Sequence, residues 1–363
     1  MLYLSTLYKP HELQQRVGIF YASASLSGAF GGLLATAIIK MDGISGQSGW
    51  RWIFILEGIA TVVIALTSML FLPADIQSAT FFTDEERDFA QAHSPPSRSA
   101  MSERVDLEKP SETKLEVHTP DLVVEDELFE WGEVLRGVKD PQVWMTAISY
   151  MGIIVSLYSF SLFLPTIVSG LGYSGSQAQL HTVPPYVPAV VFTVVVAIAS
   201  DKLKLRGPFI LIFLPITIAG YILAIAAKDN VQRYAAVFLM ATGIYPCGPC
   251  ILSILPNNSA GHFKKATTVA LQLAVANCGG FVATFIYDSS QAPTYIRGHS
   301  ITLGFVCLAW VAMFCNVMYC MWENKARAEG RRQDNLRKYQ ELWDSGKTRA
   351  PIGDRHPDFR FTL

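Results

Sequence analysis

Gly31-Gly32-Leu33-Leu34-Ala35-Thr36-Ala37-Ile38 returns later in the chain as Gly279-Gly280-Phe281-Val282-Ala283-Thr284-Phe285-Ile286, and Arg16 precedes the first copy by the same offset at which Lys264 precedes the second. Each copy lies inside a long apolar run, so the repeat reads as one hydrophobic helix present in two halves of a duplicated chain. One apolar run follows each copy. Between the second copy and the long polar stretch that divides the chain stand four further runs, and before the first copy stands none. By this arithmetic the front half is short of four helices.

The runs are Val17–Ile39, Trp50–Leu72, Val143–Ser169, His181–Ser200, Gly207–Ala227, Tyr234–Leu255, Thr267–Tyr287 and Ser300–Trp322. Roughly 20 apolar residues suffice for a helix to cross a hydrocarbon core of about 30 Å, and only a helix does so in one pass with its backbone satisfied. The sequence therefore predicts an all-α, polytopic membrane bundle with eight spans. Pro165, Pro188, Pro215 and Pro246 interrupt four of them, which neighbouring helices tolerate by taking up the freed carbonyls. Composition agrees: hydrophobic residues make 51% of the 363, and charged residues, at 16%, are too few to clothe several water-facing domains. A net charge of -1 excludes a general nucleic-acid binder. The six cysteines fall in or at the ends of apolar runs, not in a secreted disulfide framework.

Lys and Arg in short loops set orientation. One side collects Lys9, Arg16, Lys202, Lys204, Arg206, Lys264, Lys265, Lys325, Arg327, Arg331, Arg332, Arg337 and Lys338; the other holds Lys40, Arg51, Lys228, Arg233 and Arg297. Both termini are therefore expected in the cytoplasm. Met1-Leu2-Tyr3-Leu4 lacks the basic start of a signal peptide. The expected organisation is a two-span remnant of an N-terminal half over 1–72, a cytoplasmic linker over 73–141, a six-helix C-terminal half over 142–322 and a basic cytoplasmic tail over 323–363. Pro95-Pro96-Ser97 and the acids between Glu103 and Glu133 make the linker's centre read as disordered. Thr83-Asp84-Glu85-Glu86 is a capping box, and Leu128-Phe129-Glu130-Trp131 through Leu135 an amphipathic stretch for the membrane interface.

Several motifs together resemble the major facilitator superfamily, and within it the fungal anion:cation symporters that include allantoate and nicotinate permeases. They are Tyr8-Lys9-Pro10-His11-Glu12-Leu13-Gln14-Gln15-Arg16, Gly28-Ala29-Phe30-Gly31-Gly32, Gly49-Trp50-Arg51-Trp52-Ile53-Phe54 with Glu57-Gly58, Ser200-Asp201-Lys202, and Asn257-Asn258 through Gly261 to Lys264-Lys265. The resemblance implies family helices 5 to 12, a plasma-membrane location, uptake of a small organic anion coupled to cations such as protons, and alternating access around a midplane site.

On the helix resembling helix 7, Tyr158 stands near the middle, with Tyr150, Ser156 and Ser159 around it; on that resembling helix 11 stand Gln272 and Asn277. Hydroxyls and amides suit a carboxylate, yet the same groups also bridge helices. Tyr245 beside Pro246 joins them as a substrate-binding candidate. Asp201 and Lys202 through Arg206 resemble the family's cytoplasmic gating turn, with Glu12 and Arg16 as facing partners; Ala197 stands where the family has glycine. Anchoring by cations alone would not call for the acid Asp201. Glu57, an acid inside a span, and His181, at the mouth of another, are proton-site candidates, against plain roles of structural pairing near Arg51 and of a solvated histidine. Gly28, Gly31 and Gly32 suit close helix packing. Cys247-Gly248-Pro249-Cys250 lacks the further ligands of a zinc site, and no phosphate loop, nucleophile elbow or metal-binding His cluster occurs, so neither enzyme chemistry nor a cofactor is expected. No Arg or Lys lies mid-membrane to neutralise an anion. The alternative to a carrier is a truncated membrane protein that does not transport, either an inactive fragment or a nutrient sensor or partner subunit.

Overall fold

The computed structural model describes residues 23, 26–28, 30–32, 34–71, 79, 82–93, 129–173, 175–292, 294–350 and 352–363. Its chain divides into two units, one of residues 1–17 and 34–123, the other of 18–33 and 124–363. The described residues contain helices and no strand. Seven of the helical stretches are long and apolar enough to cross a membrane. The eighth expected span, Val17–Ile39, lies partly outside the described residues; those described between 26 and 38 are helical.

In the first unit, helix α1 (Gly49–Phe71) begins where the Gly49 amide donates to Asp42 Oδ1 at 2.6 Å. Arg51 donates to Gln47 Oε1 at 2.7 Å and lies over the Trp50 ring, 5.5 Å from its centroid. Helix α2 (Asp84–His93) opens on the expected capping box. The Thr83 amide donates to Glu86 Oε2 at 3.0 Å, and the Glu86 amide returns a longer bond to Thr83 Oγ1 at 3.4 Å. Asp84 also pairs with Arg87 at 2.8 Å.

The second unit is the bundle. A short helix α3 (Trp131–Lys139) turns at Asp140 into α4 (Pro141–Gly170). Asp140 caps α4 by accepting from the Gln142 amide at 3.0 Å, and Pro141 occupies the first turn, where its missing N–H costs nothing. Then follow α5 (Gly175–Leu203), α6 (Gly207–Ala226), α7 (Asn230–Ile244), α8 (Cys247–Asn258), α9 (His262–Ile286), α10 (Ile296–Ala328) and α11 (Asp334–Asp344). Helix α4 packs on α9 and α10, α6 packs on α7 and α10, and α5 lies against α7 and α4. Gly152 makes the α4–α10 crossing possible: a Cβ there would stand 2.3 Å from the carbonyl oxygen of Phe305. Ile153, Leu164, Ile210, Leu214, Ile244, Ile254 and Met313 fill the interior without exposure to solvent or lipid.

The helices outrun the apolar runs that announced them. Apolar composition marks only the part inside hydrocarbon, and a helix continues until a cap or a glycine ends it, which is why α10 starts at Ile296 and runs to Ala328. Helices continue through Pro165, Pro188 and Pro215; the break falls at Pro246, between α7 and α8, although the two still form one span, Asn230–Asn258.

Past α10 the chain folds back. Residues 352–363 lie against the end of the bundle where α4 and α9 begin and α10 finishes. The Arg327 guanidinium donates to the carbonyls of His356 at 2.8 Å and Asp354 at 3.0 Å, and Asn258 and Thr362 bond each other twice, at 3.0 and 2.8 Å. The tail is structured by these contacts and not by an apolar core of its own.

Candidate functional site

Three aromatic rings meet on one side of the second unit. Phe160 of α4, Tyr186 of α5 and Tyr245 at the α7–α8 break stand edge to face, with centroids 5.7, 6.1 and 5.7 Å apart. Such pairs are favourable because the ring edge is positive and the face negative. One polar contact lies beside them: the Tyr245 and Ser161 hydroxyls are 3.2 Å apart. Helix α7 positions Tyr245, whose backbone is still helical and whose amide donates to the Ala241 carbonyl at 3.3 Å; the break follows it at Pro246.

Ser161 is exposed, and Tyr158, one turn earlier on α4 and therefore on the same face, is 43% exposed with its ring edge against Gly280 of α9. Asn277, one turn before Gly280, is exposed and donates to the Leu273 carbonyl at 2.8 Å. Tyr158, Ser161 and Asn277 thus share one exposed face, at whose margin the Tyr245 hydroxyl meets Ser161; Tyr186 is buried behind Tyr245. Gln272 stands apart. Five residues from Asn277, it falls on another side of α9, is fully buried, and donates to the Ile251 carbonyl at 3.4 Å while its Oε1 has no partner. Ser156 and Tyr150 are also interior, Ser156 bonded to the Tyr221 hydroxyl at 3.0 Å.

Tyr186 and Ser161 were not singled out from sequence. Tyr186 follows Pro184-Pro185 in an apolar run, where a tyrosine looks like any interfacial ring. The structure supplies the link: a Cβ at Gly28, in the glycine motif, would come 2.8 Å from the Tyr186 ring, so the motif's small residue makes room for that tyrosine. Gly32 likewise faces Gln179, whereas Gly31 has open space around it.

At the α5–α6 turn, Asp201 Oδ1 and Arg206 Nη2 are 4.0 Å apart, the outer reach of an ion pair. Arg206 is buried and donates to the Ser253 carbonyl at 3.5 Å. Burial pushes its pKa below the usual guanidinium value, and Asp201 offsets part of that. Lys202 is exposed; Glu12 and Arg16 lie outside the described residues. Lys204, in the same turn, has φ 54°, a left-handed conformation that costs a side-chain-bearing residue about 1 kcal/mol. Replacing Lys204 with Gly is expected to raise the unfolding free energy by about 0.5–1 kcal/mol, read from thermal unfolding; a lower melting temperature would contradict the strain.

Glu57 is exposed on α1, without an ion pair to Arg51 among the described residues. His181 stacks on Tyr173 at 3.9 Å, and its Nδ1 lies 2.8 Å from the Gln177 carbonyl oxygen. Among the described residues no group of three or more His, Cys, Asp or Glu stands close enough to hold a metal ion.

The chain is 36% identical, over all of its length and 66% of the relative's, to the uncharacterized transporter C11D3.18C of Schizosaccharomyces pombe. It is 27% identical, over 99% of its length and 62% of the relative's, to the high-affinity nicotinic acid transporter of Saccharomyces cerevisiae. A third relative, the MFS transporter prlL of a fungal species, is 32% identical over 86% of the chain and 60% of its own length. The chain thus spans about three fifths to two thirds of the length of these curated relatives. Residues 1–284 match the model of one family, and with seven apolar helices around them they make this a multi-pass membrane protein: the chain belongs to the Major Facilitator Superfamily.

Proposed function

We propose that this protein carries small organic anions, carboxylates of the kind of nicotinate or allantoate, by alternating access coupled to protons. The observation that carries the reading is the cluster of neutral donors on one exposed face, Tyr158, Ser161 and Asn277 with Tyr186 and Tyr245 beside them. Hydroxyl and amide donors satisfy a carboxylate's lone pairs without a fixed countercharge, and the ring edges suit a flat substrate. The relative named as a nicotinic acid transporter supports the substrate class. Gln272, buried on another side of α9, joins the pocket when α8 and α9 shift and its amide N–H, now on the Ile251 carbonyl, turns toward the carboxylate.

In this reading residues 1–72 belong to the N-terminal half, 73–141 link it to the C-terminal half of 142–322, and 323–363 form the tail. Both termini face the cytoplasm of a cell whose plasma membrane holds the carrier. The Asp201 turn, with Lys202 and Arg206, latches the cytoplasmic gate against Glu12 and Arg16, and Glu57 and His181 are the residues that take up and release the proton.

The test is uptake of radiolabelled nicotinate, allantoate and pantothenate by permease-deficient yeast expressing the full-length protein. Accumulation of one carboxylate, steeper at acid outside pH, is expected. Failure to accumulate any of them defeats the proposal, and binding without accumulation favours a sensor or partner subunit. Asp201→Asn is expected to change the transport rate by up to about fivefold, the scale of one partly exposed ion pair; unaltered kinetics would remove the latch.

A further inference from the structure

Helix α3 is turned the opposite way from a soluble surface helix. Its Glu133 and Gly137 are buried, while Trp131 is 75% and Leu135 52% exposed, and Phe129 packs on both Trp131 and Phe263. An apolar face turned outward at the end of three spanning helices lies in the headgroup layer of a bilayer. Immediately behind it is an open groove of about 500 Å³.

Five cations line that groove, Arg136, Lys139, Lys264, Arg327 and Arg355, against the two acids Asp140 and Asp354. Their hydrogen bonds show which of them are committed. Lys264 is shared between Asp140 at 2.7 Å and Asp354 at 2.5 Å. Arg327 is taken up by Glu323 and the tail carbonyls. Arg136 pairs with Asp354 and Glu133, and Arg355 with that same Glu133, so two guanidinium groups crowd one carboxylate. Three donors remain: the Nε of Arg136 and Nη1 of Arg355 are buried without partners, and exposed Lys139 has no ion pair among the described residues. Burial, and then repulsion from Arg136, lowers the pKa of Arg355, while Glu133 and Asp354 offset part of that.

We propose that this groove binds the phosphate of an anionic phospholipid headgroup from the adjoining leaflet, held by Lys139, Arg136 and Arg355 while the acyl chains lie along the apolar face of α3. Guanidinium groups match phosphate oxygens in pairs, and a basic pocket between helix ends at the membrane surface is suited to such headgroups. The tail supplies Arg355, so the bound lipid also ties residues 352–363 to α3.

The full-length protein, reconstituted in nanodiscs of phosphatidylcholine alone or with phosphatidylserine or a phosphatidylinositol phosphate, is expected to melt at higher temperature with either anionic lipid. By native mass spectrometry it is expected to retain the anionic lipid in preference to phosphatidylcholine. Lys139→Ala, which removes an exposed and unpaired side chain, is expected to weaken retention about tenfold without lowering the melting temperature in phosphatidylcholine. Arg355→Lys, which keeps the charge but loses the fork, should weaken it as well. Equal retention of phosphatidylcholine, or retention unchanged in both variants, overturns the proposal. Stabilisation by inorganic phosphate or a soluble inositol phosphate equal to that by lipid also overturns it, because the groove would then be a soluble-anion site.

Discussion

Replacing Lys264 with Met is expected to lower the unfolding free energy by about 3–5 kcal/mol, the cost of removing one partner from a buried ion pair. The ammonium is 3% exposed and bonded to Asp140 and Asp354 at once. Without it Asp140 retains its role as cap of α4 but carries an uncompensated charge, and Asp354 keeps only Arg136. Methionine fills the volume, so the loss comes from stranded carboxylates and not from a void. Thermal unfolding in detergent, followed by tryptophan fluorescence, checks it. A loss under about 1 kcal/mol would mean that water reaches the cluster and the pairs are worth no more than surface ones. Adding Asp140→Asn to the variant should recover part of the loss, because it removes the stranded charge while the amide oxygen can still cap α4.

Replacing Tyr186 and Tyr245 together by Phe is expected to raise the KM for the proposed carboxylate substrate at least about a hundredfold, since a hydrogen bond to a charged group contributes about 1.5–3 kcal/mol. Both rings remain, so the edge-to-face triangle with Phe160 is kept and the amount of folded protein in the membrane should hold. A fall in expression with unchanged KM would assign the hydroxyls to helix bridging. Single substitutions separate the two tyrosines: Tyr245 has the exposed Ser161 as neighbour, whereas Tyr186 is buried against the position of Gly28.

Sequence reading placed Tyr245 and Tyr158 among the candidates because it asked which polar groups stand mid-span, and a hydroxyl in an apolar run answers by itself. It grouped Gln272 with Asn277 on chemistry alone. Their spacing on α9 separates them, one buried against Ile251 and one on the exposed face. Ser161 escaped notice because serine is common in spans; only its approach to Tyr245, 84 residues away, distinguishes it. The charged network was likewise invisible, for Arg136 and Asp354 lie 218 residues apart. A tail counted as basic by composition proves to deliver an acid into the one place where Lys264 needs it.

The spans, the duplicated glycine-rich helix, the capping box at Thr83 and the family itself were determined by the sequence, because each depends on residues near one another in the chain and on the transfer of apolar groups out of water. Tertiary structure alone decided which tyrosine meets Ser161, which cations are committed and where the tail lies. Those are contacts between groups distant along the backbone, and their geometry is set by helix crossings that a one-dimensional pattern does not specify.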